Sequence, residues 1–473
     1  MDNLTPVTYT LSVHEVARLL AEETSAARHG SHARIGQAVH RRLKRTRHWR
    51  TEIRLTLRLT SPHATLDIQG RLDALEPIQE GEHLIECKST RQTDTPTPTQ
   101  GERLQLQLYA LMRWRQTGTL PARGSLLYLN PDHDTPMPVP VDVTEPTLRA
   151  LEHHLSADLH PLFDALATHR ARLIPRLRHL PFPKPTRRAG QGRAMRHTYR
   201  RLSRGHRSLL EAPTGTGKTL AVMYPALRAT GRRHGDRIVY LSARRSTRQM
   251  VSQVLAPIAR QTGLRILTLE AQDRLCDQAH DTPCDCDPAA SALQQARSDA
   301  LKQEAWHMDQ LVTLARSHRL CPHRFIQHLS DWADVLIGDY HHVFAPRGGL
   351  SLKPFGQRTL LLIDEAHNLH ERLCEHLTCE LSLHKTDPWR TLPLVRAIRR
   401  LPAGAWHRLS TLSTRTLTGT TELLAGWLSD WLARWTQPGD LFQDTRPEQA
   451  HLNTLLKLLT LLEQPPETLV FQH

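Results

Sequence analysis

One stretch of this chain combines the residue types that bind the phosphates of a nucleotide. Ala212–Thr219 (APTGTGKT) follows the apolar pair Leu209–Leu210 and precedes the helix-compatible run LAVMYPALRA. Glycines in such a loop let successive backbone N–H groups turn toward phosphate oxygens at a helix N-terminus. Lys218 would reach the terminal phosphates, and the Thr219 hydroxyl would complete Mg²⁺ coordination. The pattern predicts a strand, a phosphate-binding loop and a helix. Its nucleotide-binding residues are Thr214, Gly215, Thr216, Gly217, Lys218 and Thr219.

A pair of acidic residues follows a second apolar run. Leu360–Ile363 would fill a buried parallel strand, and Asp364 and Glu365 stand at its carboxyl end. Ligands of open α/β sheets bind at that edge. We expect Asp364 to hold Mg²⁺ and Glu365 to orient and deprotonate the attacking water in ATP hydrolysis. The loop and the acidic pair would then meet at one edge of one sheet.

A second group of ionisable residues lies nearer the N-terminus. Asp73 ends one predicted strand, and Glu86 and Lys88 lie on the next. Glu86 and Lys88 are two residues apart, so they share a strand face while Cys87 points away. Two carboxylates can hold Mg²⁺ or Mn²⁺, and a lysine can steady the attacking water or the charged phosphate. This pattern is compatible with metal-dependent cleavage of a phosphodiester, although Glu-x-Lys on an exposed strand is also a common solvated ion pair.

The elements that must position these side chains follow from the hydrophobic pattern. The N-terminal part is predicted to form strands at Glu52–Thr60, Thr65–Leu75, His83–Lys88 and Gly124–Pro131, a helix at Glu102–Trp114 and an amphipathic stretch at about Pro146–Leu173. Pro175–Gly192 is rich in Pro and Arg and is predicted to be a linker. Strands and helices alternate after it, which predicts an α/β fold with a parallel sheet. From Asn368 onward the chain is Leu-rich with helical periodicity.

The amino-acid composition indicates which kinds of partner and which compartment to expect. The formal net charge of +15 would attract polyanions, and nucleic acid is the commonest of these in a cytosol. No apolar run is long enough to cross a membrane, and the first residues have no signal-peptide pattern. Seven unevenly spread cysteines are typical of a reducing compartment. We therefore expect a cytoplasmic protein with no membrane partner.

Several motifs together resemble one family of motor proteins. EAPTGTGKT, YLSARRSTRQM, a four-cysteine insertion, ADVLIGDYHHVFAP and LLIDEAHN occur in the order found in XPD-like and DinG-like superfamily 2 DNA helicases. The resemblance covers about residues 180 to 370. It implies that Gln191 reads adenine, that Arg244 lies in the motif contacting the DNA backbone, and that the partner is single-stranded DNA.

The same resemblance offers an explanation for the cysteine cluster. Those helicases carry an iron–sulfur domain at this place, and Cys276, Cys284, Cys286 and Cys321 number four, the ligand count of a 4Fe–4S cluster. Zinc is an alternative, with His280 or His323 joining the cysteines, and a cluster without metal is another. Cys374 and Cys379 are predicted to be ordinary buried residues of helices.

The N-terminal residues resemble a nuclease family, the RecB-type branch of the PD-(D/E)xK nucleases. Asp73, Glu86 and Lys88 match its catalytic positions. The resemblance adds His40, in IGQAVHRRL, as a metal-binding histidine beside Asp73 and Glu86. It also matches Gln105 and Tyr109 to a Gln-x-x-x-Tyr motif. A nuclease-like fold used only for binding is the alternative.

These observations predict an α/β protein of five parts. A nuclease-like domain (1–178) precedes a RecA-like domain (179–272 and 331–370), which is interrupted by the cysteine insertion (273–330) and followed by a helical, partial arch region (371–473). Residues 371–473 show neither a Ser/Thr-rich strand end nor a Gln-x-x-Gly-Arg stretch of a second RecA-like domain. We expect an ATP-dependent DNA helicase–nuclease of DNA repair or processing, whose second RecA-like domain would come from another polypeptide. The alternative is a truncated remnant that binds DNA and ATP without unwinding.

Overall fold

The computed structural model describes most of the chain in two compact units. One unit comprises residues 1–343 and 348–365, and the other comprises 344–347 and 366–473. The described residues are 6–21, 49–89, 96–129, 136–213, 215–276, 290–344, 350–377, 391–400, 406–408, 412–435, 458, 462 and 470–472.

The N-terminal part of the first unit is built on a six-stranded mixed sheet. Its strands are β1 (Val7–Ser12), β2 (Arg50–Thr60), β3 (Ala64–Ile78), β4 (Gly81–Ser89), β5 (Arg123–Leu129) and β6 (Met137–Val141). Strand order is β1-β3-β4-β5-β6, with β2 paired to β3; the β1–β3 and β4–β5 pairs are parallel and the others are antiparallel. The predicted strands and helix are present with small changes of bounds, whereas β1 and β6 were not predicted. The helices of this part are α1 (Val13–Ala21) and α2 (Gln100–Thr117).

Local sequence signals fix both ends of helix α2. Thr99 caps its N-terminus by accepting a hydrogen bond from the Glu102 backbone N–H, and the Glu102 side chain accepts one from the Thr99 N–H. Gly118 ends the helix in a left-handed conformation with φ of 75°. Both devices satisfy backbone groups that a helix end leaves without partners.

A long helical segment joins the N-terminal sheet to the second one. It comprises α3 (Glu145–His154), a π-helical turn (Leu155–Leu159) and α4 (His160–Arg178). Leu173, Leu177 and Leu180 belong to the hydrophobic core of the second sheet. The prediction of a linker at Pro175–Gly192 is therefore wrong at its start, because apolar residues there are buried against the following domain.

The second sheet consists of β7 (Arg237–Leu241), β8 (Ile266–Thr268), β9 (Val335–Gly338) and β10 (Thr359–Ile363). It is parallel throughout, with strand order β10-β7-β9-β8. The prediction of a strand ending at the phosphate loop is wrong. Leu209 and Leu210 have no strand pairing, and Leu209 is 85% exposed. Two apolar residues between Ser208 and Glu211 bury too little surface to fix a strand. The helices of this part are α5 (Gln191–Ser203), α6 (Lys218–Gly231), α7 (Arg245–Thr262) and α12 (His341–Phe344).

The two sheets of the first unit share a buried interface. The Phe163 ring packs on Tyr9 from the N-terminal sheet and on Trp332 and Phe355 from the second part, with centroid distances of 5.1, 5.1 and 4.9 Å. His169 Nε2 lies 2.7 Å from the buried Asp334 carboxylate. Helix α4 therefore contributes to both cores.

The insertion and the second unit are mainly helical. Between β8 and β9 lie α8 (Gln272–Leu275), α9 (Ala290–Lys302), α10 (Met308–Ser317) and α11 (Pro322–Leu329). The second unit contains α13 (Leu369–Leu377), α14 (Pro393–Ile398) and α15 (Thr414–Trp435), with a short antiparallel pair of β11 (Trp406–Arg408) and β12 (Val470–Gln472). Among the helices that the structure describes, none has the length and apolar character needed to cross a membrane.

Candidate functional site

The phosphate-binding loop leads directly into α6, whose first residue is Lys218. Gly215 and Gly217 have φ values of 79° and 76°, a region that side-chain-bearing residues rarely adopt. The Thr216 hydroxyl donates to the Pro213 carbonyl at 2.8 Å and closes the turn. Thr214 lies outside the described residues.

The structure brings the loop lysine to the acidic pair. Lys218 Nζ lies 3.6 Å from Glu365 Oε1, although the two residues come from distant parts of the sequence. Glu365 follows β10 with a φ of 48°, and its carbonyl accepts a hydrogen bond from the Tyr340 hydroxyl at 3.0 Å. Asp364 donates its backbone N–H to the Leu241 carbonyl at the end of the neighbouring strand. These contacts fix the acidic pair at the carboxyl edge of the sheet.

The surroundings of Asp364 suit a divalent cation. Burial, followed by the neighbouring Glu365 carboxylate, raises the pKa of Asp364, and Lys218 opposes this change. The Tyr240 phenol lies beside the Asp364 and Thr219 side chains. Two carboxylates, a threonine hydroxyl and a single lysine leave negative charge that Mg²⁺ would neutralise.

Gln191 holds the phosphate loop from the side. This first residue of α5 is 5% exposed, and its Nε2 donates to the Gly217 carbonyl at 3.1 Å. Arg188 donates its backbone N–H to Gln191 Oε1 at 3.0 Å, and its guanidinium donates to the Gly215 carbonyl. Sequence reasoning missed Arg188, because an arginine within a Pro- and Arg-rich stretch has no distinguishing signal.

A cavity of about 470 Å³ lies beside the loop. Gln191, Leu210, Thr216 and Lys218 are among the residues that line it. The cavity places an apolar wall and an amide next to the phosphate-binding groups, an arrangement suited to the base and sugar of a nucleotide. Arg244, the predicted DNA contact, is exposed at the N-terminus of α7.

The predicted nuclease residues meet on strands β3 and β4 and helix α2. Lys88 Nζ donates to Gln105 Oε1 at 2.6 Å, and Gln105 Nε2 donates to Glu86 Oε1 at 2.7 Å. Lys88 Nζ also lies 3.6 Å from Glu86 Oε1. Asp73 accepts a hydrogen bond from the Cys87 backbone N–H at 2.9 Å. Cys87 itself packs on the other face with Ala74, Ile85, Leu127 and Leu129, as the two-residue spacing predicts.

The environment of the Glu86 carboxylate fits that of a ligand to a divalent cation. Burial raises the pKa of Glu86 to about 7, with Lys88 opposing and Asp73 adding to the rise. Glu86 Oε2 is buried and has no hydrogen-bond partner within the described part of the chain. An orphaned buried oxygen beside a second carboxylate fits a divalent cation. His40, the predicted third ligand, lies outside the described residues.

Tyr109 supports the same site from helix α2. Its hydroxyl donates to the Arg71 carbonyl at 3.2 Å, two residues before Asp73. Burial, followed by the Glu86 carboxylate, raises the Tyr109 pKa, so this phenol stays protonated. Gly70 leaves the space for the Tyr109 ring, because a Cβ there would come within 2.6 Å of it.

Two of the four clustered cysteines lie next to each other. Cys276 ends α8, and Cys321 precedes α11. The neighbouring Cys276 thiol contributes, after burial, to a raised pKa of Cys321. Cys284, Cys286 and His280 lie outside the described residues. Within the described ranges no group of three or more His, Cys, Asp or Glu residues is arranged to hold a metal.

His323, the other possible zinc ligand, and the two cysteines of the C-terminal region, Cys374 and Cys379, remain to be placed. His323, considered as a zinc ligand, is partly buried, which lowers its pKa, and its Nε2 lies 3.3 Å from Gln327 Nε2. Cys374 is exposed on α13, so the prediction that it is buried is wrong. The helix turns this position outward together with its exposed neighbours Arg372 and Glu375. Cys379 lies outside the described residues.

Three family models match consecutive parts of the chain. The PD-(D/E)XK nuclease superfamily matches residues 8–189, the DEAD/DEAH box helicase family matches 188–287, and the DEAD_2 family matches 250–386. The boundary between the nuclease and helicase matches falls at the N-terminus of α5, where Gln191 meets the phosphate loop.

Individual proteins with known names are similar over limited regions. A regulator of telomere elongation helicase 1 homolog from Anopheles gambiae is 33% identical over 85 residues, which is 17% of this chain and 8% of that protein. Solved structures titled XPD_Helicase and Truncated XPD are 18% and 17% identical, with TM-scores of 0.38 and 0.34. They cover 59% and 57% of this chain, and 51% and 81% of their own. The structure titled "Crystal structure of SSO0001" is 21% identical, with a TM-score of 0.23, over 33% of this chain and 78% of its own.

The family matches agree in order with the two groups of residues that the fold assembles. The nuclease match contains Asp73, Glu86 and Lys88, and the helicase matches contain Lys218 and the Asp364–Glu365 pair. The chain therefore carries DEAD/DEAH box helicase segments joined to a PD-(D/E)XK nuclease-like domain.

Proposed function

We propose that this chain hydrolyses ATP on single-stranded DNA and cleaves DNA at a second, metal-dependent site, as a helicase–nuclease of DNA repair or processing. The observation that carries the proposal is the 3.6 Å approach of Lys218 Nζ to Glu365 Oε1. It brings a phosphate-binding ammonium and a carboxylate base together beside a cavity lined by Gln191. The helicase family matches support the same reaction class.

In the proposed ATP reaction, the chain supplies positioning and charge. Backbone N–H groups after Gly215 bind phosphate oxygens, and Lys218 turns from Glu365 toward the terminal phosphates. Glu365 is thereby released to orient water and accept its proton. Mg²⁺, when bound by Asp364 and Thr219, supplies charge neutralisation at the phosphates. Gln191 orients the base while its amide holds the loop at Gly217.

In the proposed DNA cleavage, Asp73 and Glu86 would hold the catalytic cation and Lys88 would steady the attacking water. Mg²⁺ or Mn²⁺, when bound, supplies Lewis acidity toward the phosphate. Gln105 fixes the Lys88 ammonium and the Glu86 carboxylate through opposite ends of one amide. The oxygen of the attacking water bonds to phosphorus and its proton passes to solvent, while the P–O ester bond to the leaving oxygen breaks. The leaving oxygen takes up a proton from solvent. His40 is retained as a proposed third ligand.

We further propose that Cys276, Cys284, Cys286 and Cys321 hold a 4Fe–4S cluster. The adjacency of the Cys276 and Cys321 thiols supports this, because two ligands from separate helices already converge. Such a cluster would supply a covalent link across the insertion. Protein purified anaerobically should be brown and contain iron and sulfide. A colourless protein with stoichiometric zinc would contradict the assignment.

ATP turnover separates this function from its rival, a remnant that binds DNA and ATP without using them. The helicase–nuclease should show ATP hydrolysis that rises with single-stranded DNA and is lost in Glu365→Gln. The rival predicts no stimulated hydrolysis. We also propose that the chain unwinds DNA together with a partner polypeptide that supplies a second RecA-like domain. The proposed location is the cytoplasm. Co-purification from a native extract tests the partner, and fractionation tests the location.

A further inference from the structure

The positive charge of this chain is concentrated in one segment. Between Asp164 and Glu211 the sequence contains twelve Arg and one Lys but no Asp or Glu. At the chain average of 47 acidic residues in 473, a stretch of this length would carry about five. The segment thus accounts for most of the net charge of +15. A general bias toward Arg explains the basic residues but not the absence of acidic ones.

Some of these arginines have structural partners. Arg170 donates to the Asp236 carbonyl, Arg178 to the Gly231 carbonyl, and Arg188 to the Gly215 carbonyl. Arg176 pairs with Glu304. These side chains join α4 and the phosphate loop to the second core, so they are already explained by the fold.

Three others form a separate exposed row, which we call the α5 arginine face: Arg196, Arg200 and Arg204. Consecutive members are four residues apart, so they lie on one side of α5 and its C-terminus. All three are exposed, and within the described part of the chain none has an ion pair or a side-chain hydrogen bond. The opposite side of α5 is buried through Met195 and Thr198.

The spacing of this face fits a nucleic-acid backbone. Eight residues of helix place the first and last guanidinium about 12 Å apart along the axis. A strand of DNA carries one phosphate per 3.4 Å of helix, so three or four phosphates span that length. Guanidinium groups also bind phosphate oxygens in a bidentate manner. Like charges in a row on one helix destabilise each other, and a polyanion removes that repulsion.

We propose that the α5 arginine face binds the phosphate backbone of DNA, as a contact separate from the one expected at Arg244. This rests on the proposed function only in taking DNA as the partner. Because α5 begins at Gln191, which bonds the phosphate loop, the face extends away from the edge of the nucleotide cavity. DNA on this face would lie beside the ATP site and share one helix with it.

The proposal is tested by measuring how the DNA affinity of a variant without these three charges depends on salt concentration. Arg196→Gln, Arg200→Gln and Arg204→Gln are combined, since Gln is a good helix former and all three positions are exposed. The matched control combines Arg123→Gln, Arg149→Gln and Arg372→Gln, which removes the same charge from exposed arginines that already have carboxylate partners. Binding of a labelled single-stranded oligonucleotide is measured by anisotropy in EDTA without ATP, so neither reaction proceeds.

The expected result is a fall in the slope of log K against log salt by about 2 in the α5 variant, with little change in the control. Equal slopes in the two triple variants and in the unchanged protein would overturn the proposal. Binding of a fluorescent ATP analogue with Mg²⁺ confirms that each variant is folded. Another outcome is that the slope falls as expected in the α5 variant while the unchanged protein shows no DNA-stimulated ATP hydrolysis. In that case the inference about the α5 arginine face stands and the proposed function fails.

Discussion

The Gln105 amide joins the Glu86 carboxylate, a proposed metal ligand of the nuclease-like site, to helix α2. Gln105 Nε2 donates to Glu86 Oε1 at 2.7 Å, while Gln105 Oε1 accepts from Lys88 at 2.6 Å. One side chain therefore sets the positions of an acid and a base that are expected to contact metal and water.

Replacing Gln105 with Ala should lower the affinity for Mn²⁺ and the rate of DNA cleavage by about tenfold to one hundredfold, because a supporting hydrogen bond to a metal ligand is lost. Metal titration and cleavage of a labelled DNA end measure the two effects. Gln107→Ala is the matched control, since Gln107 lies on the same helix but donates to the Asp142 carbonyl. Equal losses in both variants would mean that Gln105 has no special role.

The raised pKa of Glu86 predicts a pH dependence of metal binding. With the pKa at about 7, the carboxylate is protonated below that pH and must lose its proton when it binds the cation. Apparent Mn²⁺ affinity should rise about tenfold per pH unit below 7 and become level above it. Calorimetry across this range measures the change. A flat profile in the unchanged protein would contradict the assignment.

The same group should weaken the metal-free fold at high pH. Its pKa is about 7 in the folded protein against 4.5 ordinarily, so the unfolded chain loses this proton at lower pH. The destabilisation is absent below about pH 4, grows as the pH rises and is complete above 7. Glu86→Gln keeps the acceptor for Gln105 and should stabilise the metal-free protein by about 3 kcal/mol at pH 8. Denaturant unfolding at pH 8 and pH 4 measures the difference, which should vanish at the lower pH.

The sequence is most informative where a motif ends a strand. Glu86 and Lys88 were placed on one face by the strand period alone, and the meeting of Lys218 with Glu365 followed from two motifs that each end at a sheet edge. Sequence reasoning failed where the outcome depends on distant partners. The burial of Leu177 and Leu180 requires the second core, and the bond from Arg188 to the loop depends on how two segments pack. Neither leaves a local pattern.

The shared interface predicts that the two parts of the first unit unfold together. Phe163 is fully buried between Tyr9, Trp332 and Phe355, so Phe163→Ala should lower the free energy of unfolding by about 3 to 5 kcal/mol. ATP binding and Mn²⁺ binding should be lost at the same reduced temperature. Met250→Ala is the control, because Met250 is 43% exposed and does not line the nucleotide cavity. Loss of one binding activity well before the other would show that the two parts unfold separately.

The close approach of Gly217 to Gln191 predicts that a side chain at position 217 weakens ATP binding. An added Cβ at Gly217 would lie 2.5 Å from Gln191 Nε2, and the φ of 76° is itself unfavourable for alanine. Gly217→Ala should therefore weaken ATP binding by about tenfold or more, since a strained left-handed residue costs about 1 to 3 kcal/mol. Equilibrium binding of a fluorescent ATP analogue measures the loss.

Two further variants separate the contact from the backbone strain. Gly192→Ala is the matched control on the same surface, because a Cβ there meets only Arg196 Nη1, at 3.6 Å, and alanine favours the helix. It should leave ATP affinity unchanged. Gln191→Ala combined with Gly217→Ala removes the contact but keeps the strained φ, so affinity should stay below that of Gln191→Ala alone. Affinity in the double variant equal to that of Gln191→Ala would show that the left-handed conformation at Gly217 is not needed for nucleotide binding.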